Sequence, residues 1–176
     1  MLQRKESLAA MTMVVVFVTY RQNILFNLQT IQAAWPIPSG FDKSFPDDSG
    51  FPDFLFEWTI ILFKTGKTKD AEKKAFQTFC SNTYLFDKYF GRQIIPIDKW
   101  EGSNLEIPAF TKYLDYSSEQ KELADFTKWL DTFLSTQDFI NRSNKYIDIQ
   151  KRLKTEHDEE TRHYLVKAAS QLEQSL

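Results

Sequence analysis

The sequence predicts an all-α fold, a compact bundle of about seven or eight helices forming a single domain over residues 1–176. Three observations carry this expectation. Apolar positions recur at helical spacing, most clearly in the stripe Leu123, Phe126, Thr127, Leu130, Phe133 and Leu134. Chain-breaking residues gather between the apolar runs, with four of the six prolines and two of the five glycines in residues 36–52. No run reads as a persuasive strand, and the best candidate, Asp53 to Thr65, is too long for one.

Ser7 can cap a first helix beginning at Leu8, and apolar residues continue through Ile24, Leu25, Leu28 and Ile31 to Trp35, as one long helix or two short ones. Pro36 and Pro38 stop it, because proline lacks the backbone donor and pushes the preceding residue out of the helical region. Residues 36–52 then form a long loop. From Asp53 to Thr65 the chain is apolar nearly all round, which predicts a helix covered on several sides. Gly66 supplies a turn, and the next helix carries Asp70 and Glu72 in its first turn, where the helix dipole favours anions. Ala71, Ala75 and Phe79, spaced by fours, are expected to face the preceding helix, the alanines allowing close approach and Phe79 closing the contact.

Asn82 to Phe90 predicts a short helix ended by Gly91. A second irregular connection follows over residues 92–108, whose Ile94, Ile95, Ile97 and Trp100 are expected to pack over a core edge. After a short helical piece around Phe110 to Leu114, Ser117 and Gln120 have the spacing of a capping box at the head of the amphipathic stripe. Ser135 or Thr136 can cap the next helix, bearing Phe139, Ile140, Tyr146, Ile147 and Leu153. Asp158 can cap the last, bearing Leu165, Ala168, Ala169 and Leu172.

Composition bounds the function. Twenty-two basic against 24 acidic residues leave a formal charge of −2, which disfavours nucleic acid as a partner. The single cysteine, Cys80, cannot form an intramolecular disulfide, and a cytoplasmic setting is expected. Arg4 and Lys5 before Leu8 to Val18 imitate a signal peptide, but no small-x-small cleavage site follows and the run is shorter than a bilayer span. It is read as a core helix, with an N-terminal membrane anchor as the alternative.

Aligned on Gly66 and Ala71, the segment Asp53 to Tyr84 resembles a tetratricopeptide repeat: an apolar helix, a glycine turn, then alanine at the first tight contact. Trp58, Thr59 and Ala75 depart from that family's preferred residue types, and its closing proline is missing, with Thr83 near the place. Over a longer span, Gly66, Ala71, Ala75, Asn82, Tyr84 and Phe90-Gly91, followed by the helix around Trp129, are similar to the C-terminal tail of some bacterial repeat-containing proteins. The resemblance implies structural roles for these residues and carries over no catalytic one. No second unit is visible by self-comparison, so a TPR-like hairpin within a bundle is expected instead of an array.

The motifs that resemble chemistry fall short of it. Gly66-Lys67-Thr68 has the triplet of a phosphate-binding loop without the earlier glycine or a preceding strand. Glu160-x-x-His163 has the spacing of a carboxylate-bridged metal helix, but no second copy exists, and Asp47-Asp48-Ser49-Gly50 lacks the rest of a calcium loop. No metal or cofactor is expected, and Cys80 is expected to be a buried thiol. The remaining candidate surface is aromatic and borne on loops: Trp35, Phe41, Phe45 and Phe51 in the first, Trp100 in the second. These residues point to a non-catalytic module that binds another protein, for example a small bacterial adaptor or toxin-neutralising protein. The competing expectation is an enzyme in which Asp42, Asp47 or Asp48 converges with Asp98 or Glu101.

Overall fold

Phe51 and Pro52 open the first element of the computed structural model, which describes residues 51–175. The expectations for Leu8 to Val18, for the first loop up to residue 50 and for one domain over the whole chain rest on residues outside those described. Within them the fold is all-α, with six α-helices, two short 3-10 helices and no strand.

Helix α1 spans Pro52–Lys64, with proline at the first position, where its missing N–H is not needed. None of its residues is exposed, as its all-round apolar sequence requires. It ends at Gly66, whose φ of +76° is the left-handed conformation that glycine adopts without a Cβ penalty. The Gly66 N–H donates to the Phe63 carbonyl at 2.9 Å and the Lys67 N–H to the Leu62 carbonyl at 2.9 Å, the paired bonds of a Schellman motif. Gly-Lys-Thr is therefore the turn of a helical hairpin, and α2, Thr68–Ser81, folds back along α1.

The contact between these helices is made by small and polar groups. Ala71 and Ala75 are fully buried, the Thr59 and Thr78 hydroxyls lie 3.3 Å apart, and the Lys74 ammonium sits 4.2 Å from the Trp58 ring. Phe79, the third member of that ladder, also reaches a further helix. Its ring packs on Phe139 and Tyr146 at 5.5 and 6.3 Å, because the fourth-residue ladder drifts round the helix and carries position 79 to the neighbouring face.

A short α3, Leu85–Tyr89, ends at Gly91 with φ +64° and a second Schellman pair, Gly91 N–H to Lys88 and Arg92 N–H to Asp87. The chain is then irregular until a 3-10 helix at Pro108–Tyr113. The expected capping box forms only in part. The Ser117 N–H donates to the Gln120 side chain at 3.0 Å, but the Ser118 N–H donates to the Tyr89 carbonyl, so the chain is drawn onto α3 instead of starting a helix. A 3-10 turn at Lys121–Leu123 precedes α4, Ala124–Leu134. Helix α5, Gln137–Thr155, is capped by the Thr136 hydroxyl, which accepts from the Phe139 N–H at 3.2 Å. Helix α6, Glu159–Gln174, is capped by Asp158, whose carboxylate accepts from the Thr161 N–H at 2.8 Å.

Aromatic side chains fill the interior. Phe126 of α4 lies 5.8 Å from Phe56, 5.7 Å from Phe63, 6.0 Å from Tyr89 and 5.5 Å from Trp129, tying α1, α3 and α4 together. Phe76, Phe79, Phe133 and Phe139 form the adjoining cluster that seats α5. Tyr146 reaches from α5 to the Cys80 carbonyl at 2.8 Å, and Arg142 lies over the Phe76 ring while donating to the Leu172 carbonyl of α6. Cys80 is buried, and burial raises its thiol pKa, consistent with a structural thiol.

Candidate functional site

The stretch between Gly91 and Pro108 has no secondary structure of its own, yet it is fastened to the helices at several points. Asn82, at the end of α2, is the principal fastener. It is almost fully buried, its amide donates to the Leu105 and Ile107 carbonyls at 2.6 and 3.2 Å, and its oxygen accepts from the Tyr84 N–H at 3.0 Å. Next along, the Tyr84 hydroxyl accepts from the Ile97 N–H at 3.0 Å. The Trp100 N–H donates to the Gln150 carbonyl of α5 at 3.0 Å. Two exposed ion pairs bracket the loop: Arg92 with Asp131 of α4 at 3.1 Å, and Asp98 with Lys154 of α5.

Charge is enclosed beneath the loop. Lys99 is only 6% exposed; its ammonium lies 3.7 Å from the Glu101 carboxylate and 5.5 Å from the Tyr84 ring. Burial lowers the Lys99 pKa, and the negative charges of Glu101 and Glu106 counter part of that effect. Burial likewise raises the Tyr84 pKa. Two buried oxygens, the Thr83 hydroxyl and the Gln150 side-chain carbonyl, lack a hydrogen-bond partner among the described residues.

Of the aromatic residues expected to bind a partner, Trp35, Phe41 and Phe45 lie outside the described residues. Phe51 is 61% exposed at the head of α1. Trp100 is half-buried and packs against the core, with the Arg162 guanidinium 5.8 Å from its ring. A Cβ at Gly102 would stand 2.9 Å from the indole, so glycine there makes room for the ring. Ile95 departs from expectation: it is 69% exposed, while Ile94 and Ile97 are half-buried. The Ile97 N–H is held by the Tyr84 hydroxyl, whereas no hydrogen bond among the described residues holds Ile95.

Of the carboxylates expected to converge in an enzyme, only Asp98 and Glu101 lie among the described residues. Asp42, Asp47 and Asp48 fall outside the described residues, Asp98 is paired with Lys154, and Glu101 is engaged by Lys99 and the Tyr84 hydroxyl. His157, His163 and Glu160 are all exposed. Sequence reasoning missed Asn82 and Gln150 as fasteners. An asparagine just past a helix end was the only local signal, and the carbonyls it holds are more than 20 residues away. No family model, curated protein or solved structure matches the chain.

Proposed function

We propose that the protein is a non-catalytic helical module that binds another protein, with the fastened loop 92–107 as part of its contact surface. The observation that carries this reading is Ile95, a large apolar side chain held 69% exposed on a loop pinned to the core from both sides. An irregular segment that is rigidly supported loses little conformational entropy on binding, and an exposed apolar side chain on it can serve as an anchor. Phe51 extends the set of exposed apolar groups at the head of α1. The helical hairpin α1–α2, with its resemblance to a tetratricopeptide repeat, is in keeping with a scaffold of this kind. A bacterial adaptor or toxin-neutralising protein acting in the cytoplasm is the specific form of the proposal.

The test is affinity capture from the native host with three baits: wild type, Ile95→Asp, and Tyr164→Asp as a control at another exposed site. The reading expects a partner set that Ile95→Asp loses and Tyr164→Asp retains, with both variants folded by circular dichroism. Identical partners on wild type and Ile95→Asp would remove the loop from the binding surface.

A further inference from the structure

The loop 92–107 is joined to the helices by few main-chain bonds. Beyond Arg92, only its Ile97 and Trp100 N–H groups donate to other elements among the described residues, and those of Lys99, Gly102, Leu105 and Glu106 bond within the loop itself. Its ends are fixed where they stand, by the Gly91 turn on one side and the 3-10 helix that starts at Pro108 on the other. Detaching it would break the bonds made by Asn82, Tyr84 and the Gln150 carbonyl, none of which belongs to a helix ladder. A segment bonded so sparsely to its neighbours belongs to the part of a fold that opens first.

What the loop encloses works against its staying shut. The Lys99 side chain is 2% exposed, yet its ammonium stands 3.7 Å from the Glu101 carboxylate, beyond hydrogen-bond distance. The same Glu101 oxygen accepts from the Tyr84 hydroxyl at 3.4 Å, and Glu106 is taken up by the Gly102 N–H and the Ser103 hydroxyl. An ammonium carries three donors, and enclosing one short of acceptors is costly. Burial lowers the Lys99 pKa, with Glu101 and Glu106 countering part of the effect, so the closed loop favours the neutral amine and protonation favours opening. The residues that seat the loop are also short of partners: Thr83, next to Tyr84, and Gln150 each keep a buried side-chain oxygen unpaired among the described residues.

We propose that the loop 92–107 is a strap that opens as a unit while the helices stay folded, and that the enclosed Lys99 ammonium sets how readily it opens. The closed form predominates and holds Ile95 on a firm support. In the minor open form that support and the seat of Trp100 are lost together. For its bearing on binding, this inference rests on the reading of the loop as a contact surface; the opening itself belongs to the free chain.

Amide hydrogen exchange of the full chain without a partner, resolved residue by residue by NMR, tests it. In the wild type the Ile97 and Trp100 amides are expected to exchange at a common opening rate, well ahead of the buried Tyr146 and Ile149 amides of α5. Lys99→Met keeps the stem and removes the charge, and should slow exchange at Ile97 and Trp100 by up to about tenfold. Glu101→Gln keeps an acceptor for Tyr84 but withdraws the counter-charge, and should speed it. That effect should vanish in the Lys99→Met background, because the charge it acts on is gone. Mere loss of packing would instead speed exchange in every variant. Exchange of the Ile97 and Trp100 amides in step with the middle of α5 overturns the strap. A Lys99→Met chain that is unfolded by circular dichroism, or that exchanges at these amides as fast as wild type or faster, overturns the role of the charge. If Lys99→Met slows the strap but Ile95→Asp retains every captured partner, the strap stands and the contact surface falls.

Discussion

Replacing Asn82 separates the loop from the helices without touching the aromatic core. Its side chain makes three hydrogen bonds, two as donor to the Leu105 and Ile107 carbonyls and one as acceptor from the Tyr84 N–H. At about 1 kcal/mol net for each bond, Asn82→Ala should cost about 3 kcal/mol, or about 6–12 °C in Tm for a chain of this size. Asn82→Asp is the sharper variant. It keeps the acceptor for Tyr84 but turns an oxygen toward two carbonyl oxygens, so it should be at least as destabilising as alanine even though it is nearly isosteric. Thermal melts followed by circular dichroism give the stability. Hydrogen exchange then locates the loss, with faster exchange of the Ile97 and Trp100 amides and little change at the buried middle of α5. An Asp variant as stable as the wild type, or a loop that exchanges at its original rate in the Ala variant, would refute the role assigned to the amide.

Phe126→Ala removes a fully buried ring with four aromatic neighbours and should cost about 3–5 kcal/mol in urea unfolding, whereas Phe110→Ala, on a half-buried ring that meets Tyr113, should cost far less. Glu173, whose pKa is raised by burial with Lys74 countering part of it, favours the protonated form when folded, so its ionisation destabilises the fold as pH rises through its raised folded value. Glu173→Gln should therefore be more stable than wild type at neutral pH, and melts at acid pH below the ordinary glutamate range should bring the two together. Gly91→Ala meets no atom within 4 Å and should cost only the left-handed backbone term, about 1–2 kcal/mol, while Gly102→Ala should displace the Trp100 indole and change its fluorescence.

Much of the helical layout is legible one element at a time. Thr136 and Asp158 cap the last two helices because a hydroxyl or carboxylate three residues before a free N–H satisfies it wherever the helix sits. Gly66 and Gly91 end α1 and α3 because the left-handed cap needs a residue without a Cβ. The aromatic residues of the second loop were harder to place. Trp100 is held half-buried by its N–H bond to α5 and the space left at Gly102, while Ile97 is tied to Tyr84 and Ile95 stands exposed with no such tie.

The sequence by itself determined the all-α class, the hairpin turn at Gly66 and the caps, since each depends on interactions within a few residues. Tertiary structure alone decided which helix Phe79 meets, why α4 starts beyond its capping box, and how the loop after Gly91 is held. Those outcomes turn on bonds between distant positions, Tyr89 to Ser118, Asn82 to Leu105 and Gln150 to Trp100. Periodicity carries no record of such pairs, because a backbone carbonyl looks the same in every residue until the fold brings a donor to it.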